Sequence, residues 1–202
     1  MQQISGKAGG AGRMSNRYEM RFAGSGGQGV ILASVILAEA AVISGINAVQ
    51  SQAYGPEARG GVSKAETILS KDYIWYSKVT RPSFLLALTQ ASLDKYSKEL
   101  AEQAVVMIDD SLMVPDWLDP SSVIAVPILK TAREKVGKAF TANIVAVGAI
   151  NEALSLFDHD SLLEGIRRHI PAGTEELNRK ALEEGKKLIS PEVSEKYRVE
   201  IR

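Results

Sequence analysis

The sequence contains no cysteine. That absence excludes a disulfide framework, a thiolate nucleophile and the thiolate ligands on which iron–sulfur clusters depend. It suits a reducing, cytoplasmic setting. Histidine is scarce too: His159 and His169 are the only two, both in a charged, helix-patterned C-terminal stretch, so a histidine-built metal site is not expected. No charge of one sign dominates. Lys plus Arg number 24 and Asp plus Glu 24, which leaves no net field to gather nucleic acid. No apolar run approaches the roughly 20 residues that span a bilayer, so neither nucleic acid nor membrane is an expected partner.

What is present is ordinary globular usage: 202 residues, 45% hydrophobic and 24% charged, enough for one domain with a real core. Residues 1–16 stand apart. They lack acidic residues and include the flexible run Ala8-Gly9-Gly10-Ala11-Gly12, with no apolar core of a signal peptide. They are expected to be a flexible leader, an expression tag or a misassigned start, with Met14 as native initiator and the domain running from 17 to 202.

From residue 17 the pattern alternates between strands and helices. Tyr18 to Ala23 reads as a strand, Gln28 to Ile43 as an almost wholly apolar helix that belongs against a sheet, and Ile46 to Ser51 as a second strand. Such a βαβ unit predicts parallel pairing and a right-handed crossover. Further strands are expected at 62–69, 84–88, 104–108 and 123–126, and a helix at 92–100. From Thr131 onward the pattern turns helical, through 144–156, 158–170 and 174–189. The expected fold is α/β: a Rossmann-like open, mostly parallel sheet flanked by helices, in a single domain.

Two loops concentrate special residues. The first, Gly24-Ser25-Gly26-Gly27-Gln28-Gly29, satisfies G-x-G-x-x-G between a strand and a helix. Such glycines permit a tight turn and a close backbone approach to an anion at a helix N-terminus; close packing against a neighbouring chain is the rival explanation. A dinucleotide site should carry an acid about 20 positions on, yet that stretch is Val49-Gln50-Ser51-Gln52. No Lys-Ser or Lys-Thr follows the glycines, so a P-loop is excluded as well. The second loop packs Tyr54, Glu57, Arg59, Gly60 and Gly61 beyond the second strand. That density fits a subunit junction or a ligand contact, with the junction favoured. Gln28 offers its amide to a partner or ligand. Asn143 serves as a helix cap or as a polar contact at the same edge. Asp109 and Asp110 read as a turn or cap, and no residue is assigned a catalytic role.

Taken together, Arg21 to Val30, Gln52 to Gly61, Leu85 to Gln90 and Ala142 to Ala149 resemble the gamma subunits of 2-oxoacid:ferredoxin oxidoreductases. Within that family the pattern is most similar to the 2-oxoglutarate branch. The resemblance implies a complex that oxidatively decarboxylates a 2-oxoacid with thiamine diphosphate, Mg2+, an iron–sulfur cluster and coenzyme A, and that reduces ferredoxin. It implies alpha and beta subunits as partners, with this chain structural, inactive alone, binding no cofactor by itself and contributing at most to the coenzyme A or substrate surroundings. The chain also lacks a Gly-Asp-Gly thiamine diphosphate signature, so the redox centres should lie elsewhere. Pyruvate, indolepyruvate or another 2-oxoacid is the alternative substrate, and an independent nucleotide-binding protein the alternative class. In isolation, an exposed interface should drive homodimerisation.

Overall fold

The computed structural model describes residues 13–52 and 62–201. Alternation along β2 (Tyr18–Ser25) sends Tyr18, Met20 and Phe22 to one face of the sheet and Arg21 and Ala23 to the other. Among the described residues, β2 lies within a six-stranded sheet of order β3-β4-β2-β5-β6-β7. The other strands are β3 (Asn47–Gln52), β4 (Val62–Ser70), β5 (Phe84–Ala87), β6 (Val105–Asp109) and β7 (Val123–Val126). Strands β2, β5, β6 and β7 run parallel. The expected open, mostly parallel sheet flanked by helices is therefore the observed one.

The pairing inside the first βαβ unit differs from expectation. Strands β2 and β3 point the same way but are not neighbours, because β4 lies between them, antiparallel to both. Strand β4 takes the slot beside β2 that simple βαβ pairing would give to β3.

The apolar helix α1 (Val30–Ile43) covers one face together with α4 (Ala142–Leu154), α5 (His159–Arg167) and α6 (Glu175–Lys186). Helices α4 and α6 touch backbone to backbone: a Cβ on Gly148 would overlap the Leu182 carbonyl, and one on Gly185 the Val145 carbonyl. The other face carries a smaller core under α2 (Gln90–Tyr96). Helix α3 (Ile128–Thr131) continues as a π turn to Gly137, whose φ of 93° ends it. Asp109 caps α3, its carboxylate accepting from Leu129 N at 2.7 Å, which is the capping role expected of it.

Three elements near the ends of the described chain have no counterpart in the sequence pattern. Arg13–Ser15, which composition leaves in the leader, form β1 and pair in parallel with β8 (Val199–Ile201), just beyond α7 (Pro191–Tyr197). Helix α2 stops at Tyr96, four residues short of the expected Leu100. No described helix is long and apolar enough to cross a membrane.

Candidate functional site

The glycine loop sits where β2 ends and α1 begins, at the carboxyl end of the parallel strands, the usual ligand edge of such sheets. Its glycines answer different demands. Gly29 adopts φ 70° as the left-handed residue ahead of α1, and a side chain there would lie 2.8 Å from Asn143 Nδ2. Gly24 gives way to Gln28, whose Oε1 would be 2.5 Å from an added Cβ. Gly26 meets nothing within 4 Å, and both it and Gly27 are exposed. The folded chain does not require a glycine at 26.

Gln28 holds the loop closed. Its Oε1 accepts from Ser25 N at 2.7 Å, and its Nε2 donates to Leu88 O at 3.2 Å. The amide expected to reach a ligand is thus engaged within the fold, because the tight turn leaves Ser25 N without a backbone partner on that side. Leu88 N in turn donates to Ala23 O at 3.0 Å. Thr89 caps α2, with Ser92 reciprocating. The segments around residues 24, 88 and 143, far apart in sequence, therefore meet.

Asn143 does not cap. Thr141 is the N-cap of α4, its hydroxyl donating instead to Lys138 O, and the helix begins at Ala142. That start, two residues earlier than the pattern suggests, puts Asn143 inside the first turn with its amide against Gly29. Asn143 is 5% exposed and forms no hydrogen bond with a described residue. Neither α1 nor α4 has an acid in its first turn. Two long helices thus present unneutralised N-terminal dipoles and a nearly buried amide to one small region, an arrangement suited to an anion.

The loop itself holds no acid or base, so what it offers is binding rather than proton transfer. The shifted carboxylates are elsewhere: hydrogen bonds from Arg167 and Arg168 hold Glu164 down at about 2, and Arg168 lowers Glu39. No three His, Cys, Asp or Glu side chains gather among the described residues as a metal site would require, and without cysteine the donor set does not fit an iron–sulfur cluster. A dinucleotide site fits poorly too. The strand beside β2 is β4, whose Val62 and Ser63 pair with Ser25 and Gly24, where a ribose-binding acid should end a parallel strand. Tyr54, Glu57, Arg59, Gly60 and Gly61 lie outside the described residues.

One constellation was not anticipated. Arg21, 3% exposed, donates through Nε to Glu66 Oε1 at 2.8 Å, lies 3.7 Å from Glu99 and stacks over Tyr96 at 5.3 Å. Lys64 approaches Glu66 at 3.5 Å. The signal was available: Arg21 interrupts an apolar strand, and Lys64 and Glu66 repeat at period two on β4.

Residues 19–188 match the model of the pyruvate ferredoxin/flavodoxin oxidoreductase family. The chain belongs to that family. It is 39% identical over 180 residues to the 2-oxoglutarate synthase subunit KorC of Methanothermobacter marburgensis, covering 86% of this chain and 97% of that one. Against the ketoisovalerate oxidoreductase subunit VorA of Methanothermobacter thermautotrophicus it is 34% identical over 149 residues, 73% of this chain but 31% of that one. The crystal structure of a keto/oxoacid ferredoxin oxidoreductase gamma subunit from Geobacter sulfurreducens superposes with a TM-score of 0.76 at 42% identity, covering 86% of this chain and 97% of the other. The chain thus shares its fold with a solved gamma subunit.

Proposed function

We propose that this chain is the gamma subunit of a 2-oxoglutarate:ferredoxin oxidoreductase, an assembly that oxidatively decarboxylates 2-oxoglutarate to its acyl-CoA and reduces ferredoxin in the cytoplasm. The end-to-end likeness to a KorC subunit, set against the partial likeness to VorA, carries this reading. Alpha and beta subunits hold the thiamine diphosphate with its Mg2+ and the iron–sulfur cluster, for which this chain has no thiolate. Coenzyme A, when bound, supplies the thiol that accepts the acyl group.

This chain's contribution is assembly and part of the coenzyme A surroundings. The backbone N–H groups at Gly26, Gly27 and Gly29, with the Asn143 amide, would hold the anionic part of coenzyme A. Gly26, whose missing side chain the fold does not need, leaves room for that approach. The segment bearing Tyr54, Glu57, Arg59, Gly60 and Gly61 belongs to the subunit junction.

Co-expression with the alpha and beta subunits, followed by ferredoxin reduction, tests this. Activity should require 2-oxoglutarate and coenzyme A, and the isolated chain should show none. Asn143→Asp, which sets a carboxylate beside the loop, should raise KM for coenzyme A far more than it lowers kcat. A complex that prefers pyruvate or a branched 2-oxoacid, or activity from this chain alone, would overturn the reading.

A further inference from the structure

The connection from β4 to β5, residues 71–81, has no regular secondary structure, yet its backbone is pinned at several points. Asn47 Nδ2 donates to Lys71 O at 3.0 Å and to Asp72 O at 3.2 Å. Arg17 donates to Tyr76 O at 2.6 Å and Lys78 O at 3.2 Å, and Thr80 N donates to Glu19 Oε2 at 3.4 Å. Val79 is buried. From this fixed segment Tyr73, Trp75 and Tyr76 turn outward, 69%, 88% and 59% exposed. The Tyr73 and Trp75 rings meet edge to face at 4.5 Å, which orders them before any partner arrives. Beside them Val42 is 57% exposed, and a groove of about 390 Å3 runs between Val42, Ile46, Val49, Tyr73 and Ile74 along the open edge of β3.

The segment itself is basic. Within residues 71–81, Lys71, Lys78 and Arg81 are exposed against one acid, Asp72, and none of the three is in an ion pair with a described residue. We propose that residues 71–81, with the groove under Tyr73, form the docking surface for another subunit of the same oxidoreductase, one that presents apolar side chains ringed by acidic residues. This rests on the function proposed above and adds a second contact to the junction assigned there to the segment bearing Tyr54 to Gly61.

Three arguments select this occupant. A second copy would meet the patch isologously and bring both sets of Lys71, Lys78 and Arg81 together. An electron-transfer encounter uses a small patch, whereas three aromatic side chains, at roughly 150–250 Å2 each when fully covered, supply on the order of 400 Å2. That is about half of one side of a standard stable interface, about 800 Å2. The surface also lies at the end of the sheet opposite the glycine loop, so occupying it leaves that loop free.

The test uses the co-expressed complex. Tyr73→Ala/Trp75→Ala should weaken retention of the other subunits by roughly thirtyfold or more, as truncating aromatic hot spots does, while the melting curve of the isolated chain stays unchanged. Lys78→Glu/Arg81→Glu should weaken it too, with the loss deepening at low salt. Trp117→Ala, at the far side of the sheet where Trp117 is also exposed, should leave assembly intact. If the wild-type chain assembles and both double variants assemble equally well, the docking surface is wrong while the proposed function stands. If assembly is intact and only the ferredoxin dependence changes, the surface serves ferredoxin and the proposal also falls. If the wild-type chain fails to bind those subunits at all, both readings fall together.

Discussion

The two faces of the six-stranded sheet are held by different physics. On one, α1, α4, α5 and α6 lie on a continuous apolar core in which Met20, Phe22, Phe84 and Met107 are fully buried. On the other, a small apolar cluster under α2 adjoins the buried Arg21–Glu66 pair through Tyr96. That second face mixes apolar and charged groups. One sheet thus carries an apolar side and a side that joins apolar and ionic groups.

The comparison breaks most sharply at the ion pair. Glu66→Ala should lower stability by about 3 kcal/mol, at the low end for a broken buried pair, because Glu99 remains near Arg21. Arg21→Met/Glu66→Leu should recover most of that loss, since an apolar pair of similar volume replaces two desolvated charges. Chemical denaturation of the isolated chain measures both. A double variant no more stable than Glu66→Ala would show that the pair is held by something other than mutual charge compensation.

A smaller effect is expected at the helical face. Gly148→Ala forces a methyl group onto the Leu182 carbonyl and should cost about 2 kcal/mol through displacement of α6, visible as a lower denaturation midpoint. An unchanged midpoint would mean that α4 and α6 separate more easily than their close packing implies.

The smallest effect belongs to the surface. Glu164, lowered to about 2 by Arg167 and Arg168, contributes stability above the ordinary carboxylate range, and that contribution is lost as the pH falls toward about 2. The melting temperature of Glu164→Gln should therefore lie slightly below wild type near pH 7 and converge with it in acid. A gap that widens on acidification would contradict this. Being exposed, the pair should matter far less than Arg21 and Glu66.

Much of the fold was legible in the sequence because period-two and helical patterns report burial directly. β7 at 123–126 and the apolar α1 needed nothing more. The glycine loop was legible as well, since its spacing reflects the local geometry of a turn into a helix. The inward role of Gln28 was not, because it is defined by a contact across 60 positions, with the Leu88 carbonyl; for Asn143 the sequence left a cap and a polar contact at that edge both open, and only its distant neighbour Gly29 places it. Nothing local announces such partners.

By itself, then, the sequence determined most of the element order, the place of the glycine turn and the exclusion of thiolate chemistry, all properties of neighbouring residues or of composition. Tertiary structure alone decided that β4 separates β2 from β3, that Gln28 faces inward, and that Arg21 finds Glu66. It also decided that Trp75 stays in solvent on a rigid segment. The reason is the same each time: strand order and side-chain partners follow from which long-range contacts bury the most apolar surface while satisfying every buried polar group, and no window of adjacent residues contains that comparison.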